Sequence, residues 1–247
     1  MGINYACDSA CFSIVVSTSG VAGKKSEETR TRILNAALAI FRERGFEQAT
    51  MREIAQAAEV ATGAAYYYFD SKDSLVMAFY ERAQVEMRDE LVEKLGQCKT
   101  LESRLRTIIG EKFEYFAPNR KLLGALSSHA DPEHPLSPFS PETKHIRDLD
   151  IASFEQLISQ ARVRVPRDLA PYLPGLLWFF QMGVILFWVT DDSAQQRRTA
   201  KLLPLACKVV SSLVRISSLP LMRPLRRPVV NMIEIVVEEQ PCKQIES

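Results

Sequence analysis

Glycine is scarce in this chain, ten in 247 residues, and long stretches carry few strand signals, so the sequence favours helices. Net charge is nearly absent at +1, which excludes a global basic field. Any contact with a polyanion must come from a local arrangement of Arg, Lys and polar groups. The five cysteines (Cys7, Cys11, Cys98, Cys207 and Cys242) are an odd number with no paired metal-ligand spacing. Cys7-x-x-x-Cys11 has no His or Cys cluster beside it to complete four ligands, so these read as reduced thiols of a cytoplasmic protein. No nucleophile–base pair, glycine-rich phosphate loop or metal triad appears, and neither an enzyme nor a bound metal or cofactor is expected. No secretory leader is expected either: no Lys or Arg precedes Lys24, and Ile14-Val15-Val16 is too short for its apolar run. Residues 1–25 read as a disordered N-terminal extension.

What is present is an ordinary soluble balance, 47% apolar and 25% charged, on a chain long enough for one or two domains. From Ser26, Ile33, Leu34, Ala37, Leu38, Ile40 and Phe41 recur at three- and four-residue spacing, and Gly45 suits the position after a helix end. Thr50-x-x-Glu53 has capping-box spacing, so a second helix should begin at Met51, with Ile54, Ala55 and Ala58 inward. A short third segment follows to Phe69. Ser71 can cap a long fourth helix, carrying the ladder Leu75, Phe79, Ala83, Met87, Leu91 and Leu95 to Gly96. Leu101, Leu105, Ile108, Lys112 and Phe116 mark a fifth, stopped before Pro118, and residues 121–128 a short sixth. Four prolines between 131 and 141 predict a loop. Helices resume from about Glu142, again before Pro174 to Val189, and from Asp192 or Ser193, the last with an internal Pro204 expected to kink it. Residues 220–247 read as a loose tail with a weak strand-like run from Val229 to Val237.

The segment Thr50 to Lys72, T-M-R-E-I-A-Q-A-A-E-V-A-T-G-A-A-Y-Y-Y-F-D-S-K, puts two short helices either side of Glu59-Val60-Ala61. That is a helix-turn-helix, which lays its second helix in a DNA major groove. Thr62, Gly63, Ala64 and Ala65 keep the start of that helix small, so that a backbone can approach. Three adjacent tyrosines point around most of a helix circumference, so at least one must face out. The string resembles the TetR family pattern T-x-x-x-I-A-x-x-A-G-V-x-x-G-T-x-Y-x-Y-F-x-x-K at Thr50, Ile54, Ala55, Ala58, Val60, Gly63, Tyr66, Tyr68, Phe69 and Lys72. The resemblance covers about residues 27–87, with the motif at 50–69.

The resemblance implies an all-α fold: an N-terminal three-helix DNA-binding domain over 27–87 and a C-terminal helical ligand-binding and dimerisation domain over 88–219. It implies a homodimeric, effector-responsive repressor of an operator in double-stranded DNA. Carried over by position, Arg52 reaches bases or phosphate, Thr62, Gly63 and Ala64 meet DNA at the recognition-helix start, and Tyr66, Tyr67 and Lys72 touch phosphates. Thr50 caps its helix and places an amide on a phosphate. Tyr68 can face DNA or pack inward, whereas Phe69 is read as packing. Three positions depart from the pattern. Glu59 stands where a turn glycine is usual, and a left-handed non-Gly residue costs about 1 kcal/mol. Ala61 replaces a frequent capping Ser, leaving Thr62 as a possible cap, and Ala64 replaces a common Thr. These departures motivate an alternative, a helical ligand-binding or interaction module with weakened DNA binding.

In the C-terminal half, Leu173 to Val189 is the most apolar stretch, but it contains Pro174 and Gln181 and runs into Asp191-Asp192. With the amphipathic helix after it, it reads as one half of a four-helix dimer bundle rather than a membrane span. For an unknown small-molecule effector the candidate lining is Phe113, Phe116, His129, Phe154, Trp178 and Gln181. His129, Asp131, Glu133 and His134 lack helical i, i+4 spacing and read as a solvated loop, not a metal site.

Overall fold

The computed structural model describes residues 21–126 and 131–238. Among the described residues every regular element is helical, and there is no strand. The head is α1 (Val21–Arg44), α2 (Met51–Ala57) and α3 (Thr62–Tyr68). Next, α4 (Lys72–Glu86) leads into a body of α5 (Arg88–Gln97), α6 (Leu101–Phe116), α7 (Arg120–Leu126), α8 (Lys144–Gln160), α9 (Leu173–Thr190), α10 (Arg197–Ser217) and α11 (Arg223–Glu238).

The head folds as its periodicity dictates. Ile33, Leu34, Ala37, Leu38 and Phe41 of α1 bury one stripe against Ile54, Ala55, Ala65, Phe69, Leu75 and Phe79. At about 1.5–3 kcal/mol for each large side chain buried, this stripe outweighs the modest propensity of such short helices. Gly45 ends α1 at φ +87°, donating its N–H to Phe41 O at 3.0 Å. Leu122, Leu126 and Leu136 of the body complete the same cluster, so head and body share a core around α4.

A second core holds Leu105, Ile108 and Ile109 of α6, Phe154 and Leu157 of α8, Leu177 and Trp178 of α9, and Cys207 of α10. By length and composition α9 could cross a bilayer. One side of it, Leu173, Leu177, Trp178, Gln181, Val184 and Trp188, is instead buried in the body. Asp191 closes the α9–α10 corner by accepting from Ser193 N (3.1 Å), Thr199 N (2.9 Å) and Thr199 Oγ1 (2.8 Å). Burial pushes its pKa up, but these donors outweigh that and hold it well below the usual carboxylate range.

Three features differ from the sequence expectation. Helix α1 begins at Val21, inside the expected 1–25 extension; residues 1–20 lie outside the described residues. The fourth helix is two, broken at Met87, whose N–H is shared between Ala83 O and Val85 O, and α5 buries no side chain fully. Lys94 ties it to Glu111 of α6 (2.6 Å) and to its own Glu90 (2.8 Å). The expected loose tail contains α11, and its Val229–Val237 run is helical, not extended. Tertiary anchors override the strand propensity there. Val230 is buried, Arg226 Nε donates to both Asp168 oxygens at 2.8 Å, and Tyr172 Oη donates to Glu234 Oε1 at 3.2 Å. The Pro-rich segment is the expected loop, built as a chain of tight turns, His134 N to Asp131 O, Ser137 N to His134 O and Ser140 N to Ser137 O. It buries Leu136, Ser137, Ser140 and Thr143.

Candidate nucleic-acid interface and ligand cavity

Helix α2 starts at a complete capping box. Thr50 Oγ1 accepts from Glu53 N at 3.3 Å, and Glu53 Oε2 accepts from Thr50 N at 3.0 Å. The Glu53 carboxyl lies below its ordinary range, chiefly through the hydrogen bond from the Thr50 hydroxyl, and Arg44 of α1 pairs with it. The hydroxyl of Thr50 is thus committed to its own helix, while Arg52 projects into solvent. The turn is made by Glu59 at φ +53°, the left-handed conformation that the family pattern gives to glycine. Val60 N then donates to Ala55 O at 3.0 Å. Ala61 is the N-cap of α3 without a side-chain cap bond, and Thr62 is already helical, so Thr62 does not take over capping.

The register of α3 sorts its residues cleanly. Ala65 is buried, Ala64 and Tyr68 are half-buried, and Thr62, Gly63, Tyr66 and Tyr67 share the outer face. Tyr67 is 83% exposed and Tyr66 51%, and neither hydroxyl has a hydrogen-bond partner among the described residues. At Gly63 an added Cβ would meet nothing within 4 Å, so nothing in the chain itself requires glycine there. Tyr68 faces inward enough to accept a bond from Ser26 Oγ at 3.3 Å, and Phe69 is core. Lys72 turns back on the head. Its Nζ donates to Phe46 O at 2.7 Å and Glu47 O at 3.1 Å and lies 4.7 Å from the Phe46 ring centroid. It clamps the α1–α2 turn, with one N–H left to give.

Behind the head, α4, α6, α7, α8, α9 and the 131–143 segment enclose a cavity of about 260 Å³. Of the sequence candidates, Phe116, Trp178 and Gln181 line it. Phe113 stacks on Trp188 instead, centroids 4.7 Å apart, and Phe154 is solid core; His129 lies outside the described residues. The lining that sequence reasoning missed is a buried polar knot. Asp150 accepts from Lys112 Nζ at 2.7 Å on both oxygens, from Gln84 Nε2 at 2.8 Å and from Gln181 Nε2 at 3.0 Å. It binds α4, α6, α8 and α9 at one carboxylate. A signal for it existed: Lys112 sits on the mainly apolar stripe of α6. Arg147 and Thr143 also line the cavity without having been singled out.

Comparison with known proteins agrees with this architecture. Residues 33–79 match the model of bacterial regulatory proteins of the tetR family, and 104–232 match the tetracyclin repressor-like C-terminal domain. The chain belongs to the TetR family of transcriptional regulators. It is similar to the HTH-type transcriptional regulator UidR of Escherichia coli K12, 39% identical over 71 residues, 27% of this chain and 36% of that protein. The match thus spans about a third of such a curated relative's length. A TetR-family regulator from Syntrophomonas wolfei has a similar fold, with TM-score 0.58 at 20% identity, covering 75% of this chain and 96% of that one. So has FadR of Bacillus subtilis in complex with stearoyl-CoA, TM-score 0.58 at 17% identity, covering 74% and 97%.

Proposed function

We propose that this regulator is a homodimeric repressor that grips an operator in double-stranded DNA through α3 and releases it when a small molecule fills the cavity. The observation that carries the DNA reading is the outer face of α3. Two tyrosines stand in solvent with unpartnered hydroxyls beside a glycine that the fold does not need. Glycine inside a helix costs about 1 kcal/mol relative to alanine, and close approach of another backbone is a reason to keep it. Tyrosine hydroxyls donate to phosphate oxygens, and Arg52 supplies the charge. Thr62 and Ala64 belong to the same approach surface. Glu59 holds the left-handed turn that glycine usually makes, which favours a working helix-turn-helix over a module that has lost DNA binding.

The dimer reading rests on the apolar residues left outside. Phe179, Leu186 and Phe187 of α9 and Leu205, Val209, Leu213 and Ile216 of α10 are exposed. Contiguous apolar faces of this kind mark association surfaces, and a twofold pairing of the two helices gives a four-helix bundle. Such a dimer presents two recognition helices about one DNA turn apart. Its effector would act on α4, which carries the head and contributes Gln84 to the polar knot. On this reading the protein acts in the cytoplasm as a regulator rather than an enzyme. Selection of bound duplexes from a random pool tests the reading. Two half-sites at a fixed spacing are expected, and Tyr66→Phe with Tyr67→Phe should weaken the selected duplex at least tenfold in a gel shift. Unchanged affinity in that double variant sinks the assigned face.

A further inference from the structure

The polar atoms of the cavity wall set a charge balance that selects its ligand. Three charged side chains line it, Lys112, Arg147 and Asp150. Lys112 and Asp150 neutralise each other, and the carboxylate is saturated by Gln84 and Gln181. Arg147 has no carboxylate within reach among the described residues. On its own helix, Asp150 is held by Lys112 and Asp148 by Lys144. Its Nη1 donates to two backbone carbonyls, Pro138 O at 2.6 Å and Ser140 O at 3.3 Å, and its guanidinium lies 6.0 Å from the Trp178 ring centroid. The rest of its donor fork has no partner among the described residues. A guanidinium fixed on one edge and unengaged on the other is pre-organised for a planar anion.

The remaining wall is apolar, including Phe116, Met182, Ile185 and Leu186. Arg147 is half-buried, so a carboxylate would replace water at its free edge with a charge-assisted bond, whereas a cationic ligand would meet like charge. We propose that the cavity takes an amphiphilic monoanion, an apolar body of about ten heavy atoms with one carboxylate received by Arg147. A cavity of about 260 Å³ admits a body of that size. The proposal rests on the cavity being the effector site, and adds the class of effector.

The test compares three probes of equal length on the full chain: decanoate, decanol and decylamine. Thermal shift and the fluorescence of Trp178 at the wall report binding. Decanoate should bind at least tenfold more tightly than decanol, with decylamine weakest. Arg147→Met should bring decanoate down to the decanol level while decanol binding persists, which also shows that the variant is folded. Arg147→Lys should retain part of the preference. Equal binding of the three, preference for the amine, no binding of any, or undiminished selectivity in Arg147→Met overturns the proposal. A gel shift on the selected duplex reads the other question separately. Selective decanoate binding without DNA release overturns the effector reading and leaves the charge assignment standing.

Discussion

The head and the body are built from the same kind of helix and stabilised in opposite ways. In the head, polar groups work locally and at the surface: Thr50 with Glu53, Arg44 with Glu53, Lys72 on the α1–α2 turn. Its interior is wholly apolar. In the body, the decisive polar group is buried: a carboxylate answered by residues 38, 66 and 31 positions away. A reading surface must be rigid and leave its donors outside, so its polar bonds brace turns and helix ends. A binding cavity must hold polarity inside, and here the carboxylate is answered by three donors while Gln181 Oε1 is left without a partner among the described residues. The difference also separates two sensitivities, since the body fails when a charge is orphaned and the head when a turn slackens.

The largest expected effect breaks the body. Asp150→Ala leaves the Lys112 ammonium buried without a partner and strips Gln84 and Gln181 of their acceptor. About 3–5 kcal/mol of unfolding free energy should be lost, measured by urea denaturation. The paired variant Lys112→Met with Asp150→Leu removes both charges and should recover most or all of that loss. If it stays as unstable as Asp150→Ala alone, the knot is held by something other than mutual compensation of charge. Because Gln84 lies on α4, the paired variant should also blunt any response of DNA binding to ligand.

A smaller effect distinguishes the two cations of the head. Lys72→Met loses two charge-assisted bonds to Phe46 O and Glu47 O, at about 1–2 kcal/mol of stability. Arg52→Ala, at an exposed position, should leave stability within about 0.5 kcal/mol. It should weaken binding to the selected duplex and lower the salt slope by about one unit. The outcome that would merge the two roles is a Lys72 variant of full stability with the same lowered slope; Lys72 would then be a phosphate anchor, not a clamp.

These two regions were unequally legible in the sequence. Capping box, turn and stripe lie within a few residues of one another, so Thr50-x-x-Glu53 and Ile54, Ala55, Ala58 already place α2 and its inward face. The inward and outward tyrosines of α3 follow once its register is known. In the body the spacing yields helices but not their partners. Phe154 and Trp178 look alike in sequence and both belong to the second core, yet only Trp178 also forms cavity wall, because only packing decides which side of α8 and α9 meets space. Asp150 lies between Leu149 and Ile151, and nothing local says that Lys112 waits opposite. Helix α11 was hidden for the same reason: Val229 and Val230 suit a strand, and the Arg226–Asp168 pair that holds them helical joins positions 58 apart.

The smallest effects sharpen the head itself, at two of the three positions where it departs from its family pattern. Glu59 occupies φ +53°, a conformation that costs a side-chain-bearing residue about 1 kcal/mol and glycine almost nothing. Glu59→Gly should therefore stabilise the protein, by up to about 1 kcal/mol after the added freedom of glycine in the unfolded chain is subtracted. Ala61 has the extended backbone of an N-cap, φ −64° and ψ 145°, but no side-chain oxygen to offer the first amides of α3. Ala61→Ser supplies one, worth about 0.5–1 kcal/mol. The two substitutions sit on either side of Val60, close enough to couple, so the double variant should be compared with the sum of the singles. Thermal denaturation gives the stability change and a gel shift the consequence. If both variants are more stable and bind the selected duplex at least as well, the native residues are tolerated imperfections of the turn. If stability rises while affinity falls, Glu59 and Ala61 shape how α3 enters the groove, and the head trades stability for its own operator.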